Sequence, residues 1–230
     1  LARESFWLYR CNEVVVNFGT AAPSGDAAAQ QAAFLARFPQ LKGKRLILFL
    51  SRIQEKKGCD LLIDAYARVA NDCPELHLVM AGPDQVGWQA QLMERARALG
   101  IASRITWTGM LAGDLKWGAY RSCEAFILPS HQENFGIVVT EALACSVPVL
   151  ISNKVNIWQE VATDEAGLVE EDDPAGTLAL LQRWLALPAA EKRRLSENAR
   201  RCFYTRFEIG RAAGSILDAL GTRVKTRLAA

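Results

Sequence analysis

The residues whose types and spacing could do chemistry gather in two short stretches. In the first, Glu133 and Glu141 stand eight positions apart around Asn134-Phe135-Gly136-Ile137, directly after the apolar run Ala125-Phe126-Ile127-Leu128-Pro129. Gly136 can take backbone angles closed to other residues, which suits a turn from that run into a helix beginning at Ile137. The first N–H groups of such a helix have no partner within it, and the helix dipole lies behind them. They therefore suit a phosphate or another anion. Two carboxylates beside an anion-ready helix start must serve something else, and the hydroxyls of a ribose or a sugar are the natural candidates. The stretch reads as a nucleotide-sugar site. The second stretch is Ser51-Arg52-Ile53-Gln54-Glu55-Lys56-Lys57-Gly58, where Arg52 and Lys57 are five positions apart in a tight loop and can converge on one anion. A guanidinium grips phosphate oxygens in a fork, while an ammonium acts as a mobile point charge. Lone basic residues in a loop are usually solvated, and on the residues alone that plainer reading leads.

The elements that must position these side chains alternate. Arg45–Ser51 is a continuous apolar run of strand length, the pattern of a strand covered on both faces, as in a parallel sheet. It leads through the cationic loop into a helix with Leu61, Leu62, Ala65, Tyr66 and Val69 on one face. Further strands are expected at Leu76–Ala81, Ile105–Thr108, Ala125–Pro129, Val147–Ile151 and Gly167–Val169, with helices at Val86–Leu99, Asp114–Ser122, Ile137–Cys145 and Asn156–Ala162. A helix at Ala27–Phe38 precedes them, and Val14–Gly19 reads as a short strand ending in a turn. The alternation predicts an α/β fold, a Rossmann-like doubly wound parallel sheet with helices on both faces. Ligands in such sheets sit beyond the carboxyl ends of the strands. From Asp173-Pro174 onward the chain reads as a helical C-terminal tail.

Three sharper readings compete with plainer ones. Asp172-Asp173 resembles an acidic metal pair, but Asp followed by Pro is also a helix cap and first turn, and that reading is preferred. Glu191-Lys192-Arg193-Arg194 is read as a solvated helix face rather than a membrane patch. His131 is a tempting acid or base, but a loop histidine is more often polar surface. The chain has 230 residues and a net charge of +2, too small to argue for nucleic acid or an anionic membrane. Its six cysteines show no C-x-x-C pair and read as free thiols in a reducing compartment. No apolar run approaches the roughly 20 residues that span a bilayer, and no signal peptide is visible.

A glutamate, then Phe-Gly, then a second glutamate at Glu141 resembles the E-x7-E signature of the retaining group 1 glycosyltransferases, which have the GT-B fold of two Rossmann-like halves facing across a cleft. The resemblance extends over roughly residues 14–185. Ser51-Arg52…Lys57-Gly58 resembles the family's Gly-Arg-x-x-x-x-Lys-Gly segment, which implies that Arg52 and Lys57 hold the donor diphosphate. It further implies that Glu141 accepts from the ribose hydroxyls and that Glu133 lies near the transferred sugar and the leaving diphosphate. The backbone at Asn134, Phe135, Gly136 and Ile137 would meet sugar or phosphate. Gly82 would let the backbone approach the ligand, and Gly109-Met110-Leu111 would line the base pocket. Ser146 stands where the family has Gly, and Lys154-Val155-Asn156-Ile157 replaces a Gly-Gly turn. Under this resemblance residues 1–13 end a preceding domain or linker, 14–207 form the nucleotide-sugar donor domain, and 208–230 form a helix crossing back to a missing N-terminal domain. The implied donor is a UDP-, GDP- or ADP-sugar, with no cofactor and no metal required. The acceptor, a carbohydrate or lipid-linked hydroxyl, belongs to the missing half, as does any membrane contact. The expected setting is the cytoplasm, at most peripheral to the inner membrane face, in polysaccharide or glycolipid synthesis. A nucleotide-sugar epimerase on the same architecture and a non-catalytic nucleotide-sugar-binding module are the alternatives.

Overall fold

The computed structural model describes residues 18–228. Leu1–Arg10, Cys11 and most of the expected strand at Val14–Gly19 lie outside them. The first helix, α1 (Ala27–Arg37), starts where the Asp26 carboxylate accepts from Ala29 N at 2.6 Å, an N-cap that satisfies one of the orphan donors. The chain then alternates as expected: β1 (Arg45–Leu50), α2 (Cys59–Ala70), β2 (Leu76–Ala81), α3 (Gln89–Ala98), β3 (Ile105–Gly109), α4 (Gly113–Ser122), β4 (Ala125–Leu128), α5 (Ile137–Ala144), β5 (Val149–Ser152), α6 (Trp158–Thr163) and β6 (Gly167–Glu170). The tail follows as α7 (Pro174–Ala186), α8 (Ala189–Cys202), a π turn (Phe203–Phe207) and α9 (Ile209–Leu228).

All strand pairs are parallel, and the six-stranded sheet has the order β3-β2-β1-β4-β5-β6. The central strands are buried on both faces: β2, β4 and β5 have no residue outside the core. That is why they read as unbroken apolar runs rather than alternating ones. Helices α2, α3 and α7 pack together as one layer, and α1 packs on α4 in the other, where α8 also covers α5 and α6. This is the doubly wound α/β architecture. Strand order reverses between β1 and β4, and the crevice beyond the carboxyl ends of that pair is the topological switch point at which such sheets bind ligands.

Several boundaries shift by a few residues from the sequence reading, and two of the shifts have a clear local reason. Helix α3 begins at Gln89 instead of Val86, because the Asp84 carboxylate accepts from Val86 N, Trp88 N and Gln89 N at 3.2, 3.1 and 3.0 Å. A side chain satisfying those donors holds 84–88 as a loop. Strand β5 begins at Val149 instead of Val147. Helix α5 is closed by Val147 N donating to Ala142 O at 3.0 Å, with Ser146 left-handed at φ 62°; this is the Schellman closure that usually takes glycine. The capping reading of Asp173 holds, since its Oδ1 accepts from Gly176 N at 2.7 Å. The Glu191–Arg194 run is internally paired, with Arg194 bonding Glu191 and Glu165 and Lys192 lying 4.8 Å from the Trp184 ring centroid.

One buried histidine couples the fold to pH. His77 of β2 is 2% exposed, with Nδ1 3.3 Å from Lys44 Nζ and Nε2 2.9 Å from Thr106 Oγ1. Burial, reinforced by the charges of Lys44 and Arg104, pushes its pKa down from 6.5 to about 4. The native state therefore prefers neutral imidazole, and the unfolded chain binds the extra proton first. The contribution is fully present above pH 6.5 and is lost as pH falls towards 4. Urea unfolding is expected to lose on the order of 2 kcal/mol across that window in the wild type. His77→Leu should remove that part of the slope, and an unchanged slope would show that His77 is not its source.

Candidate functional site

At the switch point the loops after β1, β2, β3 and β4 enclose a cavity of about 480 Å³, lined by Leu50, Ser51, Arg52, Lys57, Gly82, Pro83, Met110, Leu111, Glu133, Asn134, Phe135, Gly136, Ile137 and Val138. Of the residues singled out in the sequence, Arg52, Lys57, Gly82, Glu133, Asn134, Phe135, Gly136 and Ile137 are thus brought together, as are Met110 and Leu111. Glu141 does not line the cavity.

The two basic residues occupy unlike environments. Arg52 is exposed at the mouth and makes no hydrogen bond or ion pair among the described residues. Lys57 ends a 3-10 turn (Glu55–Lys57), is only 4% exposed, and forms an ion pair with the Glu133 carboxylate. A buried ammonium needs such a partner. The contact brings together residues 76 positions apart in sequence, so no spacing rule could have found it. The two loops are also joined through their backbones. His131 N donates to Lys56 O at 2.9 Å, and Ser130 Oγ donates to the same oxygen at 2.8 Å.

Glu133 is clamped from its other side. Its N–H donates to Lys154 O and its carbonyl accepts from Asn156 N, both at 3.1 Å, forming an isolated parallel bridge with Val155. The segment Lys154-Val155-Asn156-Ile157, which departs from the Gly-Gly turn, therefore positions the glutamate. His131, set aside in the sequence, pairs through Nδ1 with Asp172 at 2.9 Å, and Lys154 Nζ lies 3.5 Å from the same carboxylate. These contacts hold Asp172 below its usual carboxylate range, the hydrogen bond from His131 first. Asp172 thus serves loop pairing. Among the described residues no group of three or more His, Cys, Asp or Glu side chains is placed to hold a metal ion.

Gly136 is left-handed at φ 80° and no side chain caps α5, so the helix start opens freely on the cavity through Ile137 and Val138. Phe135 turns its ring to packing: it lies 5.0 Å from Phe18 and 5.9 Å from Phe207, edge to face. The loop is thereby anchored to the tail, where Thr20 N donates to Phe207 O at 2.8 Å and Ile209 N to Thr20 O at 3.1 Å. Ile216, Leu217 and Leu220 of α9 are exposed.

Gly82 owes its identity to a close approach between strands. It sits at φ 136°, and a Cβ there would lie 1.7 Å from Ser51 O. The glycine lets the ends of β1 and β2 close behind the cavity, a constraint of packing that comes before any ligand.

Residues 32–202 match the family described as glycosyl transferases group 1. The chain belongs to that family. A group 1 relative, the D-inositol 3-phosphate glycosyltransferase of Salinispora tropica, is 31% identical over 216 residues, covering 89% of this chain and 44% of its own. The namesake enzyme of Geodermatophilus obscurus, 35% identical over 164 residues, is covered over 36% of its length. The chain spans less than half the length of these curated relatives. Among solved structures, the sucrose-phosphate synthase of Thermosynechococcus elongatus superposes with a TM-score of 0.78 at 22% identity, over 98% of this chain and 56% of that one. Anabaena HepE, in complex with UDP-glucose, gives 0.75 at 19% identity, over 89% and 56%. At these identities the structural likeness speaks for the fold. The five cysteines among the described residues are free, and burial pushes the thiols of Cys59 and Cys145 up to about 12 and 11; Cys11 lies outside the described residues. No described helix is long and apolar enough to cross a membrane.

Proposed function

We propose that this group 1 glycosyl transferase chain is the donor-binding half of a retaining enzyme that moves a sugar from a nucleoside-diphosphate sugar to an acceptor hydroxyl. The observation that carries the reading is the convergence of Arg52, Lys57 and the uncapped start of α5 on one cavity. A departing diphosphate gains negative charge as the glycosidic bond breaks, and preorganised cations and N–H donors aimed at it lower the barrier more than any other single effect in such catalysis. Arg52 would grip phosphate oxygens from the mouth, Lys57 would meet them from within, and the N–H groups of Ile137 and Val138 would complete the cradle. Glu133, tied to Lys57, would lie near both the leaving diphosphate and the transferred sugar. Glu141 would read the ribose. Anabaena HepE, which shares the fold, holds UDP-glucose, and this favours a nucleotide-sugar donor here.

The acceptor, a carbohydrate or a lipid-linked hydroxyl, falls to a second Rossmann-like half, and polysaccharide or glycolipid synthesis in the cytoplasm is the setting that goes with it. Hexosyl transfer, independence of metal, and inactivity of the chain by itself belong to the same proposal.

Calorimetric titration with UDP, GDP and ADP tests it. One diphosphate is expected to bind selectively, and Arg52→Ala to weaken that binding about tenfold, the worth of one charge-assisted contact. Absence of binding to all three, in this chain and in the full-length protein, would overturn the reading.

A further inference from the structure

Glu141 is not free to read a ribose unaided. Both of its carboxylate oxygens already have a partner: Oε1 accepts from Lys116 Nζ at 2.6 Å, and Oε2 from the Tyr120 hydroxyl at 3.0 Å. Glu141 shares a helical stripe with Ile137 and Val138, which line the cavity, one turn further from the helix start. Lys116 and Tyr120 reach it from α4, the helix whose preceding loop, at Met110 and Leu111, forms another wall of the cavity. Lys116 is itself steadied, with Nζ 4.3 Å from the Trp117 ring centroid. Both members of the ion pair are mostly shielded, their side chains 23% and 13% exposed.

A carboxylate has about four lone-pair directions, two on each oxygen. Lys116 and Tyr120 take one on each, which leaves one on each free. Charge matters as much as aim. An uncompensated carboxylate one helical turn from an anion-binding cavity repels a diphosphate, and where water is partly excluded that repulsion is poorly screened. An ammonium at 2.6 Å cancels it.

We propose that Lys116 is the positioning residue for nucleotide recognition: it neutralises Glu141 and aims its two remaining lone pairs at the vicinal hydroxyls of a ribose. The inference rests on the donor-binding reading and deepens it by assigning what distinguishes a ribonucleotide from a deoxyribonucleotide.

The test is a ratio that a purely structural residue would not move. The 230-residue chain is titrated with UDP, GDP and ADP, and then with the 2′-deoxy counterpart of whichever binds. In the wild type the deoxy compound is expected to bind about tenfold more weakly, the worth of one hydrogen bond to a charged acceptor. Lys116→Met should weaken ribonucleotide binding several-fold and bring that ratio close to one. Lys116→Arg should restore it, and Lys116→Gln, which keeps a donor without the charge, should fall between them. A wild-type ratio that survives in both Lys116→Met and Lys116→Gln overturns the role of Lys116 and leaves the donor site standing. A wild type that binds both sugars equally overturns the inference in the same way. Failure of the wild type to bind any of the three diphosphates, in this chain and in the full-length protein, overturns the donor reading and the inference together.

Discussion

Glu133→Gln is expected to tighten nucleoside-diphosphate binding about tenfold, while Lys57→Ala weakens it about a hundredfold. The opposite signs follow from one contact. The Lys57 ammonium is buried and satisfied by the Glu133 carboxylate, so the cavity carries its own counter-ion where the phosphates would sit. A diphosphate must share or displace that carboxylate, and its charge opposes the ligand throughout. Glutamine keeps an oxygen that accepts from Lys57 and preserves the shape of the loop, yet removes the charge. Alanine at 57 removes the cation itself and leaves Glu133, whose side chain is 20% exposed, facing the ligand uncompensated. Titration at low and high salt is the measurement. The gain in Glu133→Gln should shrink as salt screens the repulsion it relieves. Weaker binding in Glu133→Gln would mean that the carboxylate serves chiefly to hold Lys57 in place, and the self-neutralised site would have to be given up.

The sheet was legible because its central strands are buried on both faces. Runs such as Leu46–Phe49 and Ala125–Leu128 have no polar residue to confuse their period, and the helices between them carry apolar stripes at helical spacing. The site was legible only as far as local chemistry reaches. Gly136 at a strand-to-helix turn implies a left-handed residue and an open helix start, and both are present. What joins the loops is not local. Lys57 finds Glu133 across 76 positions and Lys116 finds Glu141 across 25, distances at which only the folded sheet sets proximity. The helix boundary missed at Val86 has a cue in Asp84, whose short carboxylate can reach N–H groups two to five residues on. Gly82 is a different case. Its place in Ala-Gly-Pro suggests a turn near a ligand, whereas the geometry ties its missing Cβ to Ser51, a neighbour contributed by another strand.

That packing constraint makes Gly82→Ala a strongly destabilising substitution. Two costs add. At φ 136° the backbone lies where side chains are rarely tolerated, worth of order 1–3 kcal/mol. The new Cβ would also sit 1.7 Å from Ser51 O and within 2.7 Å of Ser51 C, so one strand end must move. Neither is free to do so: Ser51 N donates to Ala81 O at 3.0 Å, Ile53 N to Pro83 O at 3.0 Å, and Gly82 N to Gly109 O at 2.8 Å. Parting β1 from β2 there breaks or stretches those bonds at buried positions, and each costs about 1 kcal/mol or more when left unmade. A loss of at least about 3 kcal/mol in urea unfolding is expected, with Arg52 displaced and diphosphate binding lost alongside. Gly87→Ala is the control, since Gly87 is also left-handed, at φ 74°, but a Cβ there meets nothing within 4 Å. It should cost only the backbone strain, about 1 kcal/mol. If the two variants unfold at the same urea concentration, the close approach of β1 and β2 is not what selects glycine at 82, and the ligand-side explanation regains its place.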